Sequence, residues 1–387
     1  MKKLGVFLFA LFMVAAVSAQ DNKSLSSRMA EKNIFNHMDV GVNVGTMGIG
    51  VDVAVPVGDY VRIRTGYNYM PRFTINSKFN IGTRNGSISN IAEKAGKIDE
   101  KLTKYGIDIN SSGLEEYKEK LDKFRNVEQK DYVQMELRPS LHQFKFLVDV
   151  MPFKNNKHWN FTAGFFVGPS IVGDACNQED ETLILEGINE YNSLYINYPE
   201  HGIKGAYLHY DGKAKDDPFY KYGVAGFPLG KFSDGDVAMM IPDKDATAKA
   251  EMSVSKIRPY LGFGYNTSLS SNKKWNMTID AGVMFFCGAP KVYVDNVYKF
   301  DGNSIRFDET GNYLGGIGFD VDDNYYGDII RWNPKTYEYE PAGELRNHVD
   351  LVHDLHDIKG KVGNMVNTIS KFKVYPNVSV TVSYRIF

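Results

Sequence analysis

Apolar and polar residues alternate with a period of two in eight separated stretches of the chain. From Phe372 to Ile386 the even positions hold Phe372, Val374, Pro376, Val378, Val380, Val382, Tyr384 and Ile386. Lys373, Asn377, Ser379, Thr381, Ser383 and Arg385 fall between them. A period of two places one set on each face of a β-strand. Val40, Val42 and Val44 alternate in the same way with Gly41, Asn43 and Gly45, and Ile49, Val51, Val53 and Val55 with Gly50, Asp52 and Ala54. After the turn Gly58-Asp59, Val61, Ile63, Tyr67 and Tyr69 alternate with Arg62, Arg64, Gly66 and Asn68. A repeated unit of strand, short polar turn and strand supplies four more. Its first copy runs from Arg138-Pro139 through Lys154–Lys157 to Trp159-Asn160-Phe161-Thr162, and its second from Arg258-Pro259 through Ser270–Lys273 to Trp275-Asn276-Met277-Thr278. Strands are therefore expected at about 38–46, 49–57, 60–71, 138–152, 159–170, 257–269, 275–286 and 372–387.

Eight such strands, each greasy on one face, fit an antiparallel up-and-down transmembrane β-barrel with lipid outside and a polar interior. Ten strands are the alternative, if a hairpin in a long connection joins the wall. The turns after the second, fourth and sixth strands are short, whereas the other connections run to about 65, 85 and 85 residues. Short turns face the periplasm in such barrels, so the insertions at about 72–137, 171–256 and 287–371 are expected outside the cell. Tyr60, Trp159, Trp275 and Tyr384 then mark one rim, and Tyr67 and Tyr69 the other. The insertions carry their own patterns. Ile91, Ile98, Leu102 and Tyr105, then Leu114, Tyr117, Leu121 and Phe124, predict a helical hairpin, with Ser112 and Glu115 as a capping box. Hairpins are expected around Asp301-Gly302-Asn303 and Asn333–Thr336, and a helix through Leu345, Val349, Val352 and Leu355.

The start of the chain reads as an export signal over 1–19. Met1-Lys2-Lys3 is basic, Leu4 to Val17 is apolar, and Val17-Ser18-Ala19 offers small residues for cleavage before Gln20. No Cys follows the cleavage point, which argues against a lipid anchor, and 20–37 reads as a periplasmic N-terminal segment. The chain has 387 residues and a formal net charge of −2, with no basic footprint for nucleic acid. Tyr and Phe number 24 each and Gly 36, which suits aromatic girdles and small inward residues. Cys176 and Cys287 lie about 30 Å apart if both segments stay extended. A disulfide needs Cα atoms within about 7 Å, so pairing requires the segment with Cys176 to fold back.

Alternation directs Asp39, Asp52, Asp149 and Asp280, and Arg62, Arg64, Lys145, Arg258 and Arg385, into the lumen. An eight-stranded barrel has room only for side chains, and buried charges must be paired. The expectation is a structural interior charge network of Asp52, Arg62, Arg64, Lys145, Asp149, Arg258 and Asp280, rather than an ion path. Asp320, Asp322 and Asn324 match the first three ligands of a calcium loop. Tyr325 stands where Gly belongs and Arg331 where the bidentate Glu belongs, which leaves only a weak calcium candidate. His353 and Asp357, with Asp350, share a face of the expected helix and read as a solvated face before a metal site. Ser140 and His142 share the parity of the outward Phe144 and Phe146, a pair that suits a lipid-acting hydrolase or acyltransferase if a carboxylate orients the His. No P-loop, CxxC or zinc-helix motif occurs, and neither catalytic residues nor a cofactor are expected.

The signal, the eight-strand pattern, the segment Arg258–Asn266 (RPYLGFGYN) and the ending VSVTVSYRIF resemble bacterial outer-membrane proteins of the small OmpA/OmpX-like barrel kind. In the usual ending the last Phe is in phase with the apolar set; here Tyr384 and Ile386 are in phase and Phe387 is one step off. The resemblance implies a monomeric, non-enzymatic outer-membrane scaffold whose loops serve adhesion, ligand binding or envelope structure. Its implied partners are outer-membrane lipid and lipopolysaccharide, the barrel assembly machinery and an extracellular ligand. A narrow transport pore and a lipid-modifying enzyme are the alternatives.

Overall fold

The computed structural model describes residues 34–83, 87–89, 118, 119, 122, 130–197, 224–300, 306–307, 313–315, 317–319, 329–333, 338–341 and 343–386. Its strands β1 (Asp39–Gly45), β2 (Gly48–Pro56), β3 (Val61–Tyr69), β4 (His142–Val150), β5 (Trp159–Val167), β6 (Ile257–Ser268), β7 (Trp275–Phe285) and β8 (Val374–Arg385) form a closed antiparallel barrel in that order. The seam between first and last strands runs from Asp39↔Arg385 through Val42↔Val382 to Gly45↔Ser379. Eight strands therefore complete the wall, and no additional hairpin enters it. Each barrel strand falls inside the stretch that alternation predicts for it, except that β2 begins one residue earlier. The stretch from 138 is divided, however: Pro139 ends a strand outside the barrel and β4 begins at His142.

Both chain ends of the barrel and the turns 57–60, 151–158 and 269–274 lie at one end, the short-turn end. The opposite end carries the tight Thr46-Met47 turn and the three long connections. Gly48 closes that turn at φ +89°, where a Cβ would run into the Tyr69 carbonyl.

The long connections assemble into a second body, the head. Ile75–Asn80, Tyr132–Pro139, Ile171–Asn177, Lys249–Ser253, Lys291–Val294 and Val349–Asp350 pair in that sequence as a six-stranded sheet. The first five directly follow or precede β3, β4, β5, β6 and β7, so this sheet continues the barrel wall beyond a break. Backbone hydrogen bonds cross the break: Met70 N–H to Leu141 O at 3.0 Å, Ser140 N–H to Val172 O at 2.8 Å, and Val254 N–H to Ser170 O at 2.9 Å. A second sheet pairs Gly343–Arg346, Val297–Phe300, Val237–Met240, Ala225–Phe232 and Leu355–His356, with Gly82–Thr83 added to the Ala225 end. Helices α1 (Thr182–Asn197) and α2 (Gly360–Lys371) complete the head. Its core holds Val133, Leu185, Ile188, Phe227, Met239, Val297, Tyr298 and Val366, drawn from both sheets and both helices.

The helix expected through Leu345, Val349, Val352 and Leu355 is instead strand, turn and strand. Asp350 accepts hydrogen bonds from the Val292 and Val352 amides at 3.2 and 3.0 Å, and His348 and Asp357 adopt φ of +58° and +56°. Those left-handed residues interrupt any helix. The helix lies further on, at α2, where Val362 and Val366 are buried and Met365 and Ile369 pack beside them. The Asn333–Thr336 hairpin is formed by Ile329–Asn333 and Glu338–Pro341. The helical hairpin with Ser112 and Glu115, the Asp301 hairpin and the export signal over 1–19 lie outside the described residues. Cys176 and Cys287 are both free: Cys176 lies in the head strand Ile171–Asn177, and Cys287 in the bend after β7 at φ +57°.

Candidate functional sites: lumen, belt and head cleft

The lumen gathers its charges because each inward residue occupies the same parity on a neighbouring strand. Arg64 on β3 donates to Asp149 Oδ1 on β4 at 3.0 Å and to both oxygens of Asp280 across the barrel on β7, the Nη2 bond measuring 3.1 Å. Arg62 donates to Asp149 Oδ2 at 2.9 Å and to Asn266 Oδ1 at 3.0 Å. Lys145 Nζ sits 2.7 Å from Asp52 Oδ1. Asp149 is fully buried, and Asp52, Arg64, Lys145 and Asp280 are nearly so. Asp39 and Arg385 pair at 3.1 Å next to the short-turn end.

Uncharged residues of the same parity complete the lattice. Thr162 donates to Asp149 at 2.8 Å, Asn43 to Asp52 at 2.9 Å, Asn68 to Asn43 at 2.8 Å and Asn266 to Asn160 at 2.7 Å. Arg258 stands apart from the carboxylates. It bonds to Gln143 Oε1 at 3.1 Å, to the Ser255 carbonyl at 2.8 Å and to the Pro169 carbonyl. It therefore ties the wall break together rather than joining the ion pairs, because its place at the start of β6 lies beside that break and away from Asp149 and Asp280. Above the lattice sits an apolar plug of Met47, Leu141, Leu147, Phe166, Tyr260, Met284 and Phe286. Gly262 and Gly282 face each other across β6 and β7 and make room for the Tyr260 ring; a Cβ on Gly262 would lie 2.6 Å from its hydroxyl. Sequence reasoning did not single out this plug, although its members share the parity of the charged set.

The outer wall is the reverse. Val42, Val51, Phe161, Leu261, Phe263 and Val378 are each more than half exposed, and Val40, Phe144, Phe146, Ile279, Val380 and Val382 nearly as much. At the short-turn end, Trp159 meets Tyr265 at 5.0 Å and Trp275 meets Tyr384 at 5.1 Å between ring centres. Near the other end Tyr67 packs on Phe144 at 4.8 Å and Tyr69 on His142 at 5.0 Å.

Ser140 Oγ lies 2.9 Å from His142 Nε2. Among the described residues no carboxylate bonds His142, so the orienting member of a hydrolytic triad is missing there. His353 Nδ1 lies 2.7 Å from Asp350 Oδ2, but Asp357 falls on the far side of a strand and is not gathered with them. Among the described residues no group of three metal-ligating side chains occurs. Asp320, Asp322 and Asn324 lie outside the described residues.

The head holds an open cleft of about 690 Å³ between the 230–237 hairpin and the start of α2. Asn80, Lys231, Asp234, Asp236, Lys359 and Lys361 line it. Lys299 bridges Asp234 and, at 3.5 Å, Asp236. The hydrogen bond from Lys299 holds the Asp234 carboxyl below the usual range and raises the ammonium in turn. The cleft wall is mixed: Pro228, Val237, Met239 and Val362 stand beside those charged side chains, so a ligand there would meet both hydrogen-bonding and apolar surface.

No protein-family model matches the chain, and no curated protein matches it in sequence. Among solved structures it is similar to CarO2 of Acinetobacter baumannii, with 12% identity and a TM-score of 0.34 over 90% of this chain and 98% of that one. CarO of the same organism gives 11% identity and a TM-score of 0.32 over 89% and 96%. Likeness at this level carries no functional argument; the barrel rests on its own strand register.

Proposed function

We propose that the chain is an outer-membrane barrel, of the small OmpA/OmpX-like kind, that displays the head at the cell surface as a non-enzymatic scaffold for ligand binding or adhesion. The observation that carries this reading is the inversion of the barrel: an ion-paired polar interior inside an exposed apolar wall. A barrel in water places its apolar set inward, and continuous exposed apolar surface beyond a few hundred Å² marks an interface. Most barrel strands are 9 to 12 residues long, close to the roughly 9–11 that a tilted strand needs to cross a bilayer. The two aromatic bands fit its two interfaces. The short turns support a periplasmic end and the head an external one. The cleft, where charged and apolar side chains meet, is the head feature that best supports a ligand.

Val380 stands midway along β8 with its side chain outward. Val380→Arg is expected to cost about 2–4 kcal/mol of unfolding free energy in phospholipid vesicles. The same change on a water-exposed wall stays within about 0.5 kcal/mol, and a value that small in urea titrations would remove the membrane reading. Against the pore alternative stand the plug and the ion-paired lattice. Purified protein in planar bilayers is expected to give no porin-scale conductance, and steady large channels would make transport the better reading.

A further inference from the structure

The short-turn end carries a one-sided basic patch that the scaffold role does not use. Lys154 and Lys157 stand on the β4–β5 turn, and Lys273 and Lys274 on the β6–β7 turn. These turns are neighbours around the barrel, since β4, β5, β6 and β7 are consecutive in the wall. All four lysines are exposed. Among the described residues only Lys157 has an acidic partner, Asp59 at 3.8 Å, and both side chains there are about half exposed. Between the two turns the outer wall offers an aromatic floor. Trp159 and Tyr265 face each other on β5 and β6, and His158 stacks on Tyr265 at 5.5 Å. Below that floor Phe161 and Phe263 are register partners and more than half exposed.

We propose that this patch is a binding site for anionic phospholipid on the short-turn side of the membrane. The phosphate lies among the lysines of both turns, the glycerol region against Trp159 and Tyr265, and the acyl chains along Phe161 and Phe263. Charge complementarity selects the headgroup: four cations face one carboxylate, and each Lys near an anionic lipid surface adds about 1 kcal/mol, roughly fivefold in association. The aromatic pair fixes the depth, because such rings settle at headgroup level. The site rests on the membrane reading above, and its test separates the two.

Full-length protein is reconstituted into phosphatidylcholine vesicles containing a minor fraction of brominated phosphatidylglycerol, or the same fraction of brominated phosphatidylcholine. Quenching of Trp159 and Trp275 reports the neighbouring lipid; the third tryptophan, Trp332, lies in the third long connection. Phosphatidylglycerol is expected to associate at least about tenfold more strongly. Half-molar salt should reduce the preference strongly, and Lys154→Gln/Lys157→Gln/Lys273→Gln/Lys274→Gln should bring it near one. Equal quenching by the two brominated lipids in the wild-type protein overturns the site while leaving the membrane reading intact. Absence of quenching by either overturns the membrane reading itself. Retention of lipid preference in the lysine variant, with loss of binding to cell-wall sacculi, would assign the patch to cell-wall carboxylates and refute the lipid site.

Discussion

Arg64→Met is expected to lower the unfolding free energy by about 3–5 kcal/mol, read as a shift of the urea midpoint in phospholipid vesicles. Arg64 is the cation that joins Asp149 and Asp280, whose side chains are 0% and 4% exposed. Asp149 keeps Arg62 when Arg64 is lost, whereas Asp280 keeps no ion-paired cation among the described residues. Leaving a buried carboxylate unpaired is what makes the change large, so Asp280→Asn in the same chain should restore part of the loss. A shift under about 1 kcal/mol would mean that water screens the pair, as it does at exposed ion pairs.

The second large effect belongs to the head. Phe227 is 4% exposed in the core between the two head sheets. Phe227→Ala is expected to destabilise the head by about 3–5 kcal/mol through lost burial and a residual cavity. The barrel has a separate core, so the variant should lose resistance to limited proteolysis in the head while the barrel still resists detergent until heated. Loss of both together would show that head and barrel unfold as one unit.

The wall was legible in the sequence because one face of each strand meets a single kind of surroundings. Where Val378, Val380 and Val382 alternate with Ser379 and Thr381, the period alone assigns inside and outside. The lumen charges followed from the same parity. The partners of Arg258 did not, since its depth along the barrel, beside the break, decides which groups it meets. The head was far less legible. Val349, Val352 and Leu355 have helical spacing, yet pairing with Lys291–Val294 and the turn around Asp350 outweigh it. At α2 the run Val362, Met365, Val366 and Ile369 was a readable helical stripe, masked by Gly360, Gly363 and the β-branched residues, which lower helix propensity. The lipid patch was hidden differently. Its lysines lie on turns separated by more than a hundred residues and become neighbours only when the barrel closes.

The manner in which the head is woven has a consequence for a cut chain. Its first sheet draws two strands from each of the three connections, and its second sheet interleaves pieces of all three. Every connection is also fixed at both feet by a barrel strand. A single nick in any one of them therefore liberates no fragment: the two pieces stay joined through ladders that each shares with the other. The molecule is in effect a natural split protein, one whose halves part only when the barrel itself is opened.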